Sequence, residues 1–152
     1  MMLLIMRHGK AEEKRPGIRD EERRLTEKGR KDVEHVAKIM PFKPSKIYSS
    51  PMLRAIETAE IISRIYNVNY EVLAELLPEK LSINALKKLK LEENTLLIGH
   101  APSIEELISG LIGGGKVKLK AGAIAGLEIE ELASGGAKLV FLITPQVASS
   151  FS

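Results

Sequence analysis

The chain has 152 residues, of which 44% are hydrophobic and 28% charged, with a formal net charge of +3 and no cysteine. This composition is typical of one globular domain over residues 1–152, and it excludes fibrous and disordered classes, disulfides, thiolate metal sites and cysteine nucleophiles. The opening apolar run of six residues is too short for a signal peptide or a membrane span of about 20 residues, so we expect a cytoplasmic protein with no membrane partner.

Strands and helices are predicted to alternate along most of the chain. Short apolar runs bounded by turn residues predict six strands, over residues 3–6, 46–49, 69–73, 95–98, 123–129 and 138–143. Apolar stripes at helical spacing predict four helices, over about residues 27–40, 51–66, 82–90 and 102–112. Thr26 and Ser50 are the predicted N-caps of the first two helices, and Ser103 with Glu106 predicts a capping box in the fourth. This order indicates a three-layer α/β sandwich with a mostly parallel central sheet of about six strands.

Polar residues cluster directly after three of the predicted strands. Arg7 and His8 follow the first strand, residues 49–54 follow the second and end in Arg54, and His100 follows the fourth. Ligands of open α/β sheets bind beyond the carboxyl ends of the strands. The planar fork of arginine suits a tetrahedral anion, and histidine can serve as a nucleophile or an acid–base group. The pattern predicts a phosphate site.

The positive charge of the chain is concentrated near this predicted site. Residues 7–31 contain ten Lys or Arg and six Asp or Glu, a local excess of 10 − 6 = +4. The chain has only three Tyr, three Phe and no Trp, so it offers few rings on which bases could stack. A local positive region that attracts a small anion fits these numbers better than a nucleic-acid groove, and we expect no nucleic-acid partner.

The ordered set of motifs resembles the histidine phosphatase superfamily. The run Arg7–His8–Gly9 is similar to the RHG signature of that superfamily. Its further landmarks are matched, in order and spacing, by Leu25–Thr26 with Gly29, by Ser49–Ser50–Pro51 with Arg54–Ala55 and Thr58–Ala59, and by Gly99–His100. The small size and the segment LLIGHAPSIEEL are most similar to SixA-type phosphohistidine phosphatases, whereas the phosphoglycerate mutases of the superfamily are longer.

The resemblance implies a role for each clustered side chain. His8 would attack phosphorus and form a phosphohistidine that water then hydrolyses. Arg7, Arg54 and His100 would bind the phosphoryl oxygens and stabilise the charge of the transition state, without a metal or another cofactor. Lys10, at the predicted mouth of the pocket, adds positive charge and is either a substrate-binding residue or a solvated one.

The proton donor to the leaving group is predicted from the stretch after the third strand. Many members of the superfamily use an acidic residue there, and Glu75 is the best-aligned candidate, followed by Glu79. SixA-type enzymes are similar in fold but need no strong acid, because an imidazole departs readily from phosphorus. Glu75 is therefore either the donor or a carboxylate at the end of the sheet.

Three functions remain open from the sequence. The leading one is a metal-independent phosphatase that removes phosphate from phosphohistidine in a phosphorylated protein. The first alternative is a phosphatase of a small phosphomonoester, for which an acid such as Glu75 is essential. The second is a non-catalytic module that binds a phosphorylated ligand, which would have no need of a nucleophile such as His8.

Overall fold

The structure is a computed structural model, and it describes residues 1–151. Within that range the chain forms six strands, β1 (Met2–Arg7), β2 (Lys46–Ser49), β3 (Tyr70–Val72), β4 (Thr95–Gly99), β5 (Ile124–Ile129) and β6 (Ala137–Ile143). It also forms five α-helices, α1 (Glu27–Ile39), α2 (Leu53–Tyr66), α3 (Ile83–Leu86), α4 (Ser103–Leu111) and α5 (Pro145–Ser149). All six strands predicted from the sequence are found close to their predicted bounds.

The six strands form one sheet in the order β3-β2-β4-β1-β5-β6. β1 pairs in parallel with β4, and β2 pairs in parallel with both β4 and β3. β5 is antiparallel to β1, and β6 is antiparallel to β5. Leu3, Leu4, Ile5 and Met6 of β1 are fully buried, as expected of a parallel strand that is covered on both faces. The prediction of a mostly parallel sheet is confirmed.

Helices cover both faces of the sheet. On one face, α1, α2 and α5 pack over a core that includes Val33 and Ala59. On the other face, α3 and α4 pack over a second core that includes Leu86 of α3, Ile104 of α4 and the loop residue Leu119. The sheet therefore lies between two helical layers, which confirms the predicted three-layer α/β sandwich.

Two helices begin differently from the sequence prediction, and both differences involve His100. The prediction that Ser50 caps α2 is wrong, since α2 begins at Leu53 and its N-cap makes no side-chain hydrogen bond. The Ser50 hydroxyl instead lies 2.7 Å from Nε2 of His100. The predicted capping box of α4 is also absent, because the Ser103 hydroxyl donates to the carbonyl oxygen of His100 at 2.7 Å. Both hydroxyl groups bond to His100, and neither caps a helix in the predicted way.

Two short helices, α3 and α5, also differ from the sequence prediction. α3 ends at Leu86, before the predicted end near residue 90, because the next turn tightens into bonds such as Leu89 N–H to the Leu86 carbonyl at 3.0 Å. α5 was not predicted, although the Thr144 hydroxyl accepts from the Val147 N–H and Pro145 is its first residue, both ordinary start signals. Among the described residues, no helix is long and apolar enough to cross a membrane.

Candidate active site

Three adjacent parallel strands end at one cavity. β1 ends at Arg7, just before His8, β4 ends just before His100, and β2 ends just before Ser50. The cavity beyond these ends has a volume of about 390 Å³. It is lined by twelve residues: Arg7, His8, Lys10, Ala11, Lys14, Asp20, Arg23, Arg54, Pro78, His100, Ala101 and Ala121. The structure thus brings together five of the residues selected from the sequence, namely Arg7, His8, Lys10, Arg54 and His100.

The hydrogen bonds of His8 fix which of its ring nitrogens carries the proton. Nδ1 lies 2.7 Å from the carbonyl oxygen of Gly9, and because a carbonyl can only accept, Nδ1 is the donor. In the neutral ring Nε2 then keeps its lone pair, and it accepts from Nε of Arg54 at 3.3 Å. Burial of the ring is the main cause that lowers the pKa of His8 to about 3, and His100, Arg54 and Arg7 lower it further. His8 therefore presents an unprotonated Nε2 to the guanidinium of Arg54.

The backbone after His8 is held against two helices. The Gly9 N–H donates to the Thr58 hydroxyl at 3.1 Å, and this hydroxyl donates to the carbonyl oxygen of Arg54 at 2.8 Å. A Cβ on Gly9 would lie 2.8 Å from a methyl carbon of Val33, and a Cβ on Gly29 would lie 2.2 Å from the backbone oxygen of the residue after Gly9. Only glycine allows these approaches, so the two glycines set the distance between the loop after β1 and α1.

His100 is buried beside His8. The centroids of the two rings are 5.1 Å apart, with an angle of 57° between the ring planes. Nε2 of His100 bonds to the Ser50 hydroxyl, while Nδ1 is buried and has no hydrogen-bond partner among the described residues. Burial is the largest cause that lowers the pKa of His100 to about 4, and Arg54 and Arg7 act in the same direction. A buried ring nitrogen without a partner is suited to contact a bound ligand.

One nitrogen of the Arg7 guanidinium is hydrogen-bonded to the backbone, and Nε is available to a ligand. Nη1 donates to the carbonyl oxygen of Leu119 at 3.0 Å. Nε is buried and, in the part of the chain that the structure describes, has no partner. A buried guanidinium N–H without an acceptor is costly unless a ligand supplies one. An anion in the cavity would satisfy it.

Arg54 is bound by an acidic residue that the sequence interpretation did not select. Nη1 of Arg54 donates to the carbonyl oxygen of Asp20 at 2.9 Å, and Nη2 donates to Oδ2 of the same residue at 3.3 Å. Arg23 donates to Oδ1 of Asp20 at 2.9 Å. Burial raises the pKa of Asp20, but the charges and hydrogen bonds of Arg54 and Arg23 outweigh it and lower the pKa overall. The carboxylate is ionised at the wall of the cavity.

The remaining candidates lie at the rim of the cavity or outside it. Lys10 is exposed at the rim, next to Lys14. Glu75 lies in the short 3-10 helix after β3 and lines a different groove, together with Lys80 and Lys88. Glu79 is exposed and follows Pro78, which lines the cavity, and its charge acts on the pKa of His100. Of the two predicted carboxylates, Glu79 is the one beside the cavity.

Comparisons with known proteins find the same overall fold. The family model of the histidine phosphatase superfamily (branch 1) matches residues 3–77. The protein histidine phosphatase SixA, solved in complex with tungstate, is 25% identical and superposes with a TM-score of 0.78 over 96% of this chain and 98% of that chain. A candidate SixA phosphohistidine phosphatase from Agrobacterium tumefaciens is 22% identical, with a TM-score of 0.76 over 95% of this chain and 97% of that chain.

The same fold also occurs in phosphatases of small molecules. Phosphoserine phosphatase from Entamoeba histolytica, solved with 3-phosphoglyceric acid, is 19% identical and has a TM-score of 0.70 over 97% of this chain and 98% of that chain. No curated protein matches the sequence significantly. The matched family model and the shared fold confirm the predicted resemblance to the histidine phosphatase superfamily, and the solved structures named here are those of phosphatases.

Proposed function

We propose that the protein is a metal-independent phosphatase that hydrolyses protein phosphohistidine through a phosphohistidine formed on Nε2 of its own His8. The observation that carries this proposal is the state of His8, whose Nδ1 donates to Gly9 while Nε2 keeps its lone pair next to Arg54. A nucleophile must be unprotonated, and the low pKa of His8, about 3, keeps the ring neutral at pH 7.

The first step transfers the phosphoryl group to the enzyme. The lone pair of His8 Nε2 attacks phosphorus, the new P–N bond forms, and the bond from phosphorus to the leaving nitrogen breaks. The free N–H of Arg7 and the guanidinium of Arg54 donate to the phosphoryl oxygens. They stabilise negative charge where it increases in the transition state.

His100 is a third donor in this scheme. If the Ser50 hydroxyl donates its hydrogen to Nε2 of His100, the proton of the neutral ring is on Nδ1, the buried nitrogen without a partner. The Ser50 oxygen also accepts from the Met52 N–H at 3.2 Å, which leaves its own hydrogen for His100. The Nδ1–H group then donates to a phosphoryl oxygen.

The second step restores the enzyme. Water attacks phosphorus, the P–Nε2 bond breaks, and inorganic phosphate leaves while His8 returns to its neutral form. The proton that water loses ends on the phosphate product or in solvent, so His8 needs no net change of charge over the cycle. Neutral His8, with its low pKa, is a good leaving group for this step.

The choice of phosphohistidine as substrate is supported by its leaving group, which needs no acid from the protein. An alkoxide leaves slowly unless an acid protonates it, and general acid catalysis contributes roughly 10²–10⁴-fold. Glu75 faces a different groove. A phosphorylated imidazole can take a proton on its other nitrogen from solvent and needs no such acid. SixA, a protein histidine phosphatase, shares this fold over nearly its whole length.

A small phosphomonoester is the second candidate substrate, and one observation favours it. Glu79 follows Pro78, which lines the cavity, and its charge acts on His100, so a carboxylate is available beside the cavity. A non-catalytic binding role is disfavoured by the unprotonated Nε2 of His8, which phosphate binding alone does not need.

The experiment combines a covalent trap with a substrate panel. Brief incubation with ³²P-labelled phosphohistidine peptide and an alkaline quench should leave label on His8, and His8→Ala should abolish both the label and turnover. His35→Ala, which changes a histidine of α1 outside the cavity, is the matched control and should keep both. Wild type should hydrolyse the phosphohistidine peptide with a higher kcat/KM than an aryl phosphate or a sugar phosphate.

Two results would contradict the proposal in different ways. Near-normal turnover by a pure His8→Ala preparation would remove the nucleophile assignment. Label on His8 together with a clear preference for small phosphomonoesters would keep the mechanism and replace the substrate class.

A further inference from the structure

The phosphoryl-binding arginine already holds an anion that belongs to the protein itself. Both terminal nitrogens of Arg54 donate to Asp20, one to the backbone carbonyl at 2.9 Å and one to the carboxylate at 3.3 Å. The third nitrogen, Nε, donates to His8. Each nitrogen of the guanidinium therefore has a partner within the chain before any ligand binds.

The carboxylate of Asp20 is held in place from two sides and still reaches solvent. Arg23 donates to Oδ1, while Arg54 binds Oδ2. The side chain of Asp20 is 38% exposed, and the residue lines the same cavity as His8 and His100. A phosphoryl group that enters the cavity meets this fixed negative charge as well as the positive charge of the arginines.

The two classes of substrate differ in how they respond to such a charge. A phosphomonoester and inorganic phosphate bring close to two negative charges at pH 7 and no positive charge. A phosphorylated imidazole can carry a proton on its second nitrogen, so that a positive charge lies directly beside the phosphoryl group. A neighbouring carboxylate repels the first class and attracts the imidazolium of the second.

We propose that Asp20 is a specificity-determining residue, whose carboxylate weakens the binding of dianionic phosphate groups at Arg54 and favours a phosphoryl group attached to a cationic imidazole. The inference rests on the proposed function, because it needs Arg54 to bind the phosphoryl group. It adds that discrimination against phosphomonoesters comes from a charge in the cavity wall.

If the carboxylate of Asp20 only positions Arg54, removing its charge should not strengthen phosphate binding or change the choice of substrate. The backbone carbonyl of Asp20 holds Nη1 of Arg54 at 2.9 Å, and this bond does not depend on the side chain. Asparagine keeps the shape of aspartate and an oxygen acceptor but removes the charge. Asp20→Asn therefore removes the charge together with one of the two side-chain bonds, from Arg23 or Arg54, because an amide nitrogen cannot accept, and it keeps the backbone bond to Nη1 of Arg54.

The test measures inorganic phosphate binding and substrate choice in Asp20→Asn. Isothermal titration should show that the Kd for inorganic phosphate falls about tenfold, equivalent to about 1.4 kcal/mol. The kcat/KM for an aryl phosphate should rise relative to that for a phosphohistidine peptide, also by about tenfold. Glu22→Gln is the matched control: like Asp20, Glu22 lies in the single 3-10 turn Asp20–Glu22 of the loop and carries one negative charge, but it bonds to Arg19 at 2.6 Å and does not line the cavity.

The outcomes distinguish this inference from the proposed function. If Asp20→Asn binds phosphate as weakly as wild type or more weakly, and keeps the wild-type substrate ratio, Asp20 only positions Arg54 and the inference is wrong. If wild type neither binds phosphate nor turns over any phosphorylated substrate, the proposed function itself fails, and the inference fails with it. Asp20→Ser, measured in the same way, serves as the second variant if Asp20→Asn does not fold.

Discussion

Glu75 and Glu79 are four residues apart in the chain, yet they lie on different surfaces. Glu75 lies in the 3-10 helix Ala74–Leu76, whose Leu76 is fully buried and fixes that turn against the sheet. Glu79 follows Pro78 at the wall of the cavity. The resemblance to the superfamily favours Glu75. The direction in which a side chain points from a single turn depends on tertiary packing, however, and a sequence motif does not specify that packing. The role of Glu75 as donor stays a prediction.

A pair of variants tests which carboxylate protonates a leaving group. We expect Glu79→Gln to lower kcat for a sugar phosphate, which releases an alkoxide, more than Glu75→Gln does, because Glu79 follows the cavity-lining Pro78 and Glu75 lines a different groove. Both variants should keep hydrolysis of a phosphohistidine peptide to within about tenfold, below the usual range of acid catalysis. Steady-state kinetics on the two substrates provide the measurement. A deep loss of phosphohistidine hydrolysis in either variant would argue against a leaving group that needs no acid.

The residue that sequence reasoning missed, Asp20, shows what a local pattern does not contain. It lies in the charged loop over residues 8–25, among alternating acidic and basic side chains that have no helical or strand period. The only sequence signal near Asp20 is the excess of positive charge over residues 7–31. The contact with Arg54 joins residues 34 positions apart, and nothing in the loop itself distinguishes Asp20 from Glu21 or Glu22.

At the scale of elements, α4 is linked to Arg7 of the candidate site through a loop segment. Oε2 of Glu105, in the first turn of α4, accepts from the Leu119 N–H at 2.6 Å. The carbonyl oxygen of the same Leu119 accepts from Nη1 of Arg7 at 3.0 Å. Leu119 is fully buried, so its peptide groups depend on these two side chains for hydrogen bonds. Glu105 is therefore a positioning residue for Arg7.

Removing that link should weaken the site without removing any group that touches substrate. We expect Glu105→Ala to lower kcat more than it changes KM, by up to about tenfold, and to lower the free energy of unfolding by about 1–3 kcal/mol, the cost of an unsatisfied buried donor. Glu105→Gln keeps an acceptor and should recover most of the activity. Glu106→Ala changes the exposed neighbouring carboxylate and is the control. Equal kinetics of the Glu105→Ala and Glu106→Ala variants would rule out the positioning role.

The elements differ in how far sequence alone predicts them. Strands such as 95–98 are short apolar runs in a sheet buried on both faces, and burial of the whole run leaves little choice of structure. The starts of α2 and α4 were mispredicted because Ser50 and Ser103, which are good capping residues, bond to His100 instead. Tertiary contacts of a functional site overrode local preference at both positions.

At the scale of the whole molecule, the strand order explains why the site could be predicted. β1, β4 and β2 are adjacent and parallel, so residues that follow them in the sequence meet at one edge of the sheet. This geometry brings His8, Arg54 and His100 together although up to 92 positions separate them (100 − 8). The pKa values of the two histidines could not be predicted in the same way, because they depend on how deeply the surrounding layers bury each ring.

That burial links the active site to the stability of the whole fold. The pKa of His8 is lowered to about 3 and that of His100 to about 4, in both cases mainly by burial, whereas an unfolded chain has histidine pKa values near 6.5. Below pH 6.5 the unfolded state therefore binds more protons than the folded state. The stability that the neutral rings contribute is complete above pH 6.5 and is lost as the pH falls toward 4 and 3.

We therefore expect the free energy of unfolding to decrease between about pH 6.5 and pH 4, with a slope of up to about 1.4 kcal/mol per pH unit for each of the two histidines. Urea denaturation at several pH values in this window measures the slope. The double variant His8→Asn/His100→Asn removes both groups and should show a distinctly smaller slope, because the two buried imidazoles no longer contribute to it. If the double variant keeps the wild-type slope, other groups cause the acid sensitivity, and the two buried rings are not held neutral by the fold.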